Sequence, residues 1–381
     1  MATTRNIGLD YLRSVAILIV LCNHGLIGFF ISTSRVKFEG VTAALSASTV
    51  ISIEWLFVLS GFLIGAMMIR SFEREANWLQ CARDFWLRRW FRTVPNYYLF
   101  VFVNLLLVGL GLANGKFEYK YFAFSQNLAW IETTPHFFGE SWSLALDEWF
   151  YLVMPMLIGL LGLFTANRKI AFIGAACILI TVPMLGRILH TTPTEFFQWD
   201  AEIRRITIYH LDATGWGVLA ASVNKWFPRW WRSREKCKAV FGCASMIVGI
   251  GLVVGLLNPK WMNQYLYDFA NALSITFMAG GTFLIIPWLI SWRIRDSWMT
   301  WMVGKLSLFS YSIYLVHFPL IFTFNYFILL DANTSSLTMT FLVVGWLFAI
   351  VVLSALLFHC FEKPVSDLRE SFTKRVDASP F

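Results

Sequence analysis

The chain has 381 residues, of which 57% are hydrophobic and 14% charged, with a mean hydropathy of +0.61. Soluble domains carry roughly 25% charged residues, so this deficit, with apolar runs of membrane-spanning length recurring throughout, excludes an ordinary soluble protein. The formal charge of +8 sits in short basic loops between those runs, which points to membrane topology and anionic small molecules rather than to nucleic acid.

Taken in order, the pattern predicts about ten transmembrane helices, near 9–31, 46–69, 95–113, 141–164, 170–190, 207–223, 239–257, 267–290, 306–330 and 337–360. The fold class is all-α integral membrane. Arg and Lys concentrate in the loops after the second, fourth, sixth and eighth helices and in the tail, so both termini are expected to be cytoplasmic. No A-x-A-like cleavage site follows the first apolar run, which is therefore expected to stay in the mature protein. The expected organisation is one integral domain over 1–365 and a short cytoplasmic tail over 366–381. All six cysteines fall in predicted spans or cytoplasmic loops, so no disulfide framework is implied.

The first span, "LDYLRSVAILIVLCNHG" (9–25), carries Arg13 and His24. Eleven residues are about three turns, which places the two side chains on nearly one face, roughly 16 Å apart along the axis. An intramembrane charge costs about 2.5–3.5 kcal/mol on insertion scales, so both residues should face protein or a wet cavity. Arg13 is near enough to the inner interface to snorkel. His24 is too deep for that. It reads either as a neutral, hydrogen-bonded structural histidine or as a general base for a hydroxyl.

The segment 70–95 reads as an inner loop ending in "WLRRWFRTVP" (86–95), where Arg88, Arg89 and Arg92 lie within about one turn. Such a group anchors a membrane protein on its positive side, or binds phosphate through bidentate guanidiniums. The segment 114–140 reads as an outer loop with room for a re-entrant piece. "SWSLALDEWFYL" (141–152) opens the fourth helix with Ser141, Ser143, Asp147, Glu148 and Tyr151. The carboxylates complement the helix dipole there, and they are also placed to orient a histidine or hold a sugar hydroxyl from the outer side. The sixth span contains His210 and Asp212.

In the ninth span, "SYSIYLVHFPL" (310–320) holds Ser310, Tyr311, Ser312, Tyr314 and His317 before Pro319. Tyr314 and His317, three apart, share a face. A polar face beside a proline in a span usually lines a cavity. No metal-ligand spacing and no phosphate-binding glycine loop is present, so metal, nucleotide-hydrolase and nicotinamide chemistry are unsupported and no metal is expected.

Together these stretches resemble the acyltransferase 3 family of membrane acyltransferases, which O-acetylate bacterial surface glycans. The resemblance covers about residues 5–365 and is carried by "LDYLRSVAILIVLCNH", "EWLFVLSGFLIG" (54–65), "FWLRRWFRTVPNYY" (85–98), "SWSLALDEWFYL", "HLDATGWGVLAA" (210–221), "SYSIYLVHFPL" and "FEKP" (361–364). It implies transfer of an acyl group, typically acetyl from acetyl-CoA, to a sugar hydroxyl by a stand-alone enzyme of the bacterial inner membrane. By matched position, His24 is the catalytic histidine with Arg13 its motif partner, and Arg89 and Arg92 match an R-x-x-R pair. The family's usual Glu in the tryptophan–serine–leucine motif is Asp147 here, so that role falls to Asp147 or to Glu148.

The combined expectation is that acyl-CoA docks from the cytosol on Arg13, Arg88, Arg89 and Arg92. His24 then takes a proton from an acceptor hydroxyl arriving from outside. His317, Tyr314 or Tyr151 donates to the oxyanion, with Ser143 and Ser310 as further substrate contacts. The expected partners are the bilayer, acyl-CoA and a glycan or lipid-linked glycan. The alternatives are a secondary transporter with Arg, His and Asp along its substrate path, or an acyltransferase for a non-carbohydrate small molecule.

Overall fold

A computed structural model describes residues 6–26, 39–74, 77–131, 137–190, 196–328 and 335–368. The predicted end of the first span, residues 329–330 of the ninth and most of the predicted tail lie outside the described residues. The main helices are α1 (Ile7–Leu26), α2 (Glu39–Arg74), α3 (Trp78–Gly109), α4 (Ser141–Gly162) and α5 (Arg168–Leu189). Short helices α6 (Phe196–Trp199) and α7 (Thr207–His210) lead to α8 (Asp212–Trp226) and α9 (Pro228–Arg232). Helices α10 (Glu235–Leu257), α11 (Gln264–Ser291), α12 (Trp298–Ile328) and α13 (Ser336–Leu357) complete the chain. Among the described residues, nine helices are long and apolar enough to cross a membrane, and the protein is an all-α, multi-pass membrane protein.

Two expectations change. The supposed inner loop at 70–95 is almost entirely helix. Helix α2 runs to Arg74, and α3 begins at Trp78 behind Asn77, whose side chain accepts from the Leu79 amide. Such capping satisfies a free N–H at the helix start. Helix α3 passes through Pro95 instead of starting there. The consequence is functional: Arg89 and Arg92 are carried three turns or more into a 32-residue helix. The predicted sixth span is broken into α7 and α8, and α8 has only 15 residues. Its Asp212, Thr214 and Ser222, spread around the helix, are fully buried by other helices. Protein, not lipid, is therefore the solvent for its polar groups.

The packing explains that burial. Helices α2 and α8 touch through glycines: a Cβ on Gly61 would meet the Thr214 carbonyl oxygen at 2.1 Å, and one on Gly217 the Val58 oxygen at 2.2 Å. Small residues let membrane helices approach this closely where lipid gives no hydrophobic drive to associate. Helix α1 packs against α2 and α12, and α12 also meets α3 and α13.

The segment 119–124, in the predicted outer loop, forms a short 3₁₀ turn over Tyr119–Ala123. Its carbonyls pin it to the bundle. Tyr97 donates to the Tyr121 oxygen (3.0 Å), Tyr98 to the Phe122 oxygen (2.8 Å) and the Trp149 indole to the Phe124 oxygen (2.8 Å). Phe124 has φ 53°, a left-handed conformation that bulky residues rarely adopt.

Outside the spans, Asp200 binds Arg204 at 2.5 Å and Arg205 at 2.6 Å. Burial alone would raise the Asp200 pKa, but the two guanidiniums and their hydrogen bonds outweigh it and hold the carboxyl below its ordinary value. A depressed folded pKa contributes stability above the unfolded value, and that stability is lost as pH falls through the folded one. Proteolysis of the segment around 196–206 should therefore accelerate below about pH 4, more so in the native chain than in D200N.

Candidate active site

A cavity of about 300 Å³ opens among α1, α2, α3, α4 and α12. Each helix contributes a polar residue at a spacing set by its own turn. Arg13 comes from α1 and Ser60 from α2; α3 supplies the stripe Arg89, Thr93 and Tyr97, with Arg92 beside it. Helix α4 supplies Ser143, Asp147, Glu148 and Tyr151, and α12 supplies Ser310, Tyr311 and Tyr314. Ten of the twelve predicted site residues therefore split cleanly: nine line this cavity with its neighbours, and Arg88 does not. Arg88 lies one turn earlier on α3, in a separate small cleft against Met67, Ser71 and Phe85. The remaining two, His24 and His317, lie next to the cavity.

At one end the cavity is cationic. Arg92 is exposed to the exterior and Arg89 is half-buried, with its guanidinium carbon 5.6 Å from the centre of the Tyr151 ring. Asp147 accepts from the Ser60 hydroxyl at 3.2 Å, and both Arg89 and Arg13 act on it electrostatically. The two carboxylates thus face arginines. Among the described residues neither carboxylate has a hydrogen bond to a histidine; of the two roles expected for them, holding a hydroxyl is the one this geometry leaves open. Three guanidiniums against two carboxylates leave an excess of positive charge suited to an anion.

The opposite end is closed by a hydrogen bond. The hydroxyls of Ser143 and Tyr314 lie 2.7 Å apart, and both reach the Glu140 carbonyl oxygen, at 3.0 Å and 3.4 Å. Tyr314 stands between the cavity and His317, whose ring centre is 5.5 Å away. Hence His24 and His317 do not line the cavity but sit behind the tyrosine. Tyr314 thus separates the cavity from the histidine pair.

The histidine pair has a fixed proton arrangement. His317 Nδ1 lies 2.6 Å from the Tyr314 carbonyl oxygen, and its Nε2 lies 2.9 Å from His24 Nδ1. A carbonyl only accepts, so His317 Nδ1 carries the hydrogen. In the neutral ring its Nε2 is then bare, and His24 Nδ1 must donate to it. That leaves the lone pair of His24 on Nε2, free to take a proton. The rings are nearly parallel, at 10°, and Phe318 covers both, at 4.6 Å and 4.9 Å between centres. His317 is fully buried. It is placed to hold His24 in one tautomer. Replacing His317 with leucine should lower kcat by about 10²–10⁴-fold without changing KM for the donor. Glutamine, whose Oε1 can take the place of Nε2, should restore part of it.

The sequence reading overlooked several residues here. Ser60 and Phe57 lie within the quoted apolar run 54–65, and a lone serine in such a run was the available signal. Glu54, in the same run, is fully buried with its Oε1 2.8 Å from His210 Nε2, while His210 Nδ1 donates to the Arg204 carbonyl. His210 lies nearly parallel to Trp142 and edge-on to Phe57, which lines the cavity. This pair braces the cavity wall from behind.

With this geometry in view, the comparisons are direct. The model for the acyltransferase 3 family, described as an acyltransferase domain, matches residues 6–360. The chain belongs to that family. It is similar to "Putative peptidoglycan O-acetyltransferase YrhL" of Bacillus subtilis, at 24% identity over 50% of this chain and 31% of the relative. It is similar to "Regulator of hypoxia-inducible factor 1" of Caenorhabditis elegans, at 25% identity over 97% of this chain and 81% of the relative. It is also similar to the peptidoglycan O-acetyltransferase OatA of Listeria monocytogenes, at 26% identity over 42% of this chain and 25% of the relative. The chain thus spans about a third or less of the two bacterial relatives. No solved structure matches it.

Proposed function

We propose that the protein is a membrane O-acyltransferase that moves an acyl group, acetyl in the simplest case, from acyl-CoA to a hydroxyl of a cell-surface or lipid-linked glycan. The observation that carries this reading is the juxtaposition just described. An arginine-lined cavity and a base with its lone pair fixed on Nε2 meet across one tyrosine. Family membership favours an enzyme over a carrier.

In this reading the cytosolic donor enters at the exposed Arg92. Its phosphates pair with Arg92, Arg89 and Arg13, and its thioester lies in the cavity toward Ser143 and Tyr314. Arg88 is left out of the donor site. His24 Nε2 takes the acceptor's hydroxyl proton as the oxygen bonds to the thioester carbonyl carbon. The carbon–sulfur bond then breaks, and the departing thiolate takes the proton from His24 and leaves as the thiol while the acceptor becomes an ester. Tyr314 must leave Ser143 for the cavity to reach His24. Once free, its O–H is a donor for the developing oxyanion. The bacterial inner membrane, with the Arg92 mouth facing the cytosol, is the location that fits.

Mass analysis of surface and lipid-linked glycans from cells with and without the gene tests the acceptor. The expected result is loss of one ester mass from a defined sugar. An unchanged glycan profile removes the glycan acceptor from this reading.

A further inference from the structure

Beside the active-site cavity lies a second hollow of about 400 Å³, lined by Trp90, Val94 and Tyr98 of α3, Phe122, Ala123 and Phe124 of the 3₁₀ turn, and Glu148, Trp149 and Leu152 of α4. Three features define it. First, it runs on the stripe of α3 next to the one that lines the active site, since Trp90, Val94 and Tyr98 neighbour Arg89, Thr93 and Tyr97 in sequence. Glu148 and Phe124 line both hollows.

Second, it opens sideways. Trp90 is 42% and Phe122 38% exposed. The stripe ends at least eleven residues from either end of α3, roughly 16 Å. Trp, Tyr and Phe at such a mouth are the side chains enriched where a membrane protein meets lipid, so the mouth opens toward the bilayer. Third, its wall holds a buried acceptor. Glu148 is 8% exposed and its Oε2 has no hydrogen-bond partner, which is costly for a carboxyl in such surroundings.

We infer that this groove is a lateral entrance for a membrane-borne acceptor, a hydroxyl-bearing molecule on a long apolar chain, whose chain lies among Trp90, Tyr98, Phe122 and Trp149 while its hydroxyl is first received by Glu148 Oε2 at the seam with the active-site cavity and then passes into that cavity toward His24. The inference rests on the acyltransferase reading and adds the physical class of its acceptor: it arrives within the bilayer, not from water. Phosphatidylcholine, which carries no hydroxyl, gives Glu148 nothing to receive.

The test uses the full chain in phosphatidylcholine nanodiscs with two photoreactive probes, a long-chain primary alcohol bearing a mid-chain diazirine and the matching alkane without the hydroxyl. Labelled positions are mapped by mass spectrometry. The alcohol should mark the 90–98 and 122–152 stretches about tenfold more than the alkane, while both mark the exposed face of α13 equally. Ala123→Trp, which fills the groove, should remove the excess. Glu148→Leu should make the two probes equal there.

Equal labelling of the groove by both probes in the native chain overturns the proposal, as does an alcohol excess that Ala123→Trp leaves unchanged. Thiol release from acetyl-CoA is measured on the same preparation. Release without preferential labelling sinks the entrance alone; preferential labelling without release sinks the transferase reading and keeps the groove.

Discussion

In H24A, acyl transfer falls by about 10²–10⁴-fold, the range a general base supplies, while the protein remains in the membrane at native levels. The expected loss is in kcat, because His24 does not line the donor cavity and has no contact with the arginines that would bind CoA. Combining H24A with H317L should cost little more than H24A alone, since residues that act as one unit are strongly non-additive. The check is steady-state kinetics on the purified single and double variants. Near-native kcat in H24A removes the base assignment, and additive losses remove the His317–His24 pairing.

The second large effect concerns folding. Arg187, on α5, is fully buried and makes a bidentate pair with Asp212 of α8, at 3.0 Å and 2.7 Å. The same guanidinium donates to the Tyr209 carbonyl at 2.5 Å, to Thr276 at 2.8 Å and to the Ala272 carbonyl at 2.8 Å. One side chain thus ties α5, α8 and α11 together with its donors satisfied.

R187M leaves the Asp212 carboxylate buried with only Thr276 (3.1 Å) among these partners. Removing one member of a buried ion pair costs about 3–5 kcal/mol. Thermal unfolding followed by size-exclusion fluorescence should show a large drop for R187M and a partial recovery in R187M/D212N, where no lone charge remains. A native melting temperature in R187M would show that this cluster does not hold the helices together.

Much of the bundle was legible in the sequence, because long apolar runs report lipid burial directly. The start of α4, the end of α10, and the neighbourhood of Tyr314 and His317 follow from such runs. Two elements were hidden for physical reasons. The first turns of α3 carry Arg83, Asp84, Arg88, Arg89 and Arg92, and that charge masks the helix that Cys81, Ala82 and Phe85 bury. Helix α8 is wrapped by protein, so its length and polarity obey packing and not bilayer thickness.

At the site, residue types identified the participants but not their partners. Spacing on one helix placed Arg13 with His24 and Tyr314 with His317. It could not show that His24 meets His317 across 293 positions, that Asp147 faces arginines, or that Arg88 turns toward the end of α2. Those are facts of how helices pack, and a single-helix period does not contain them.

The most direct measurement of the central claim is free-thiol release from acetyl-CoA by the purified protein in nanodiscs, with the acetyl label followed into added membrane-borne alcohol. The account predicts thiol release matched by ester formation, a raised KM for acetyl-CoA in R92A, and loss of turnover in H24A. Intact acetyl-CoA after prolonged incubation with the native protein and acceptor, or release that is unchanged in both variants, would contradict it.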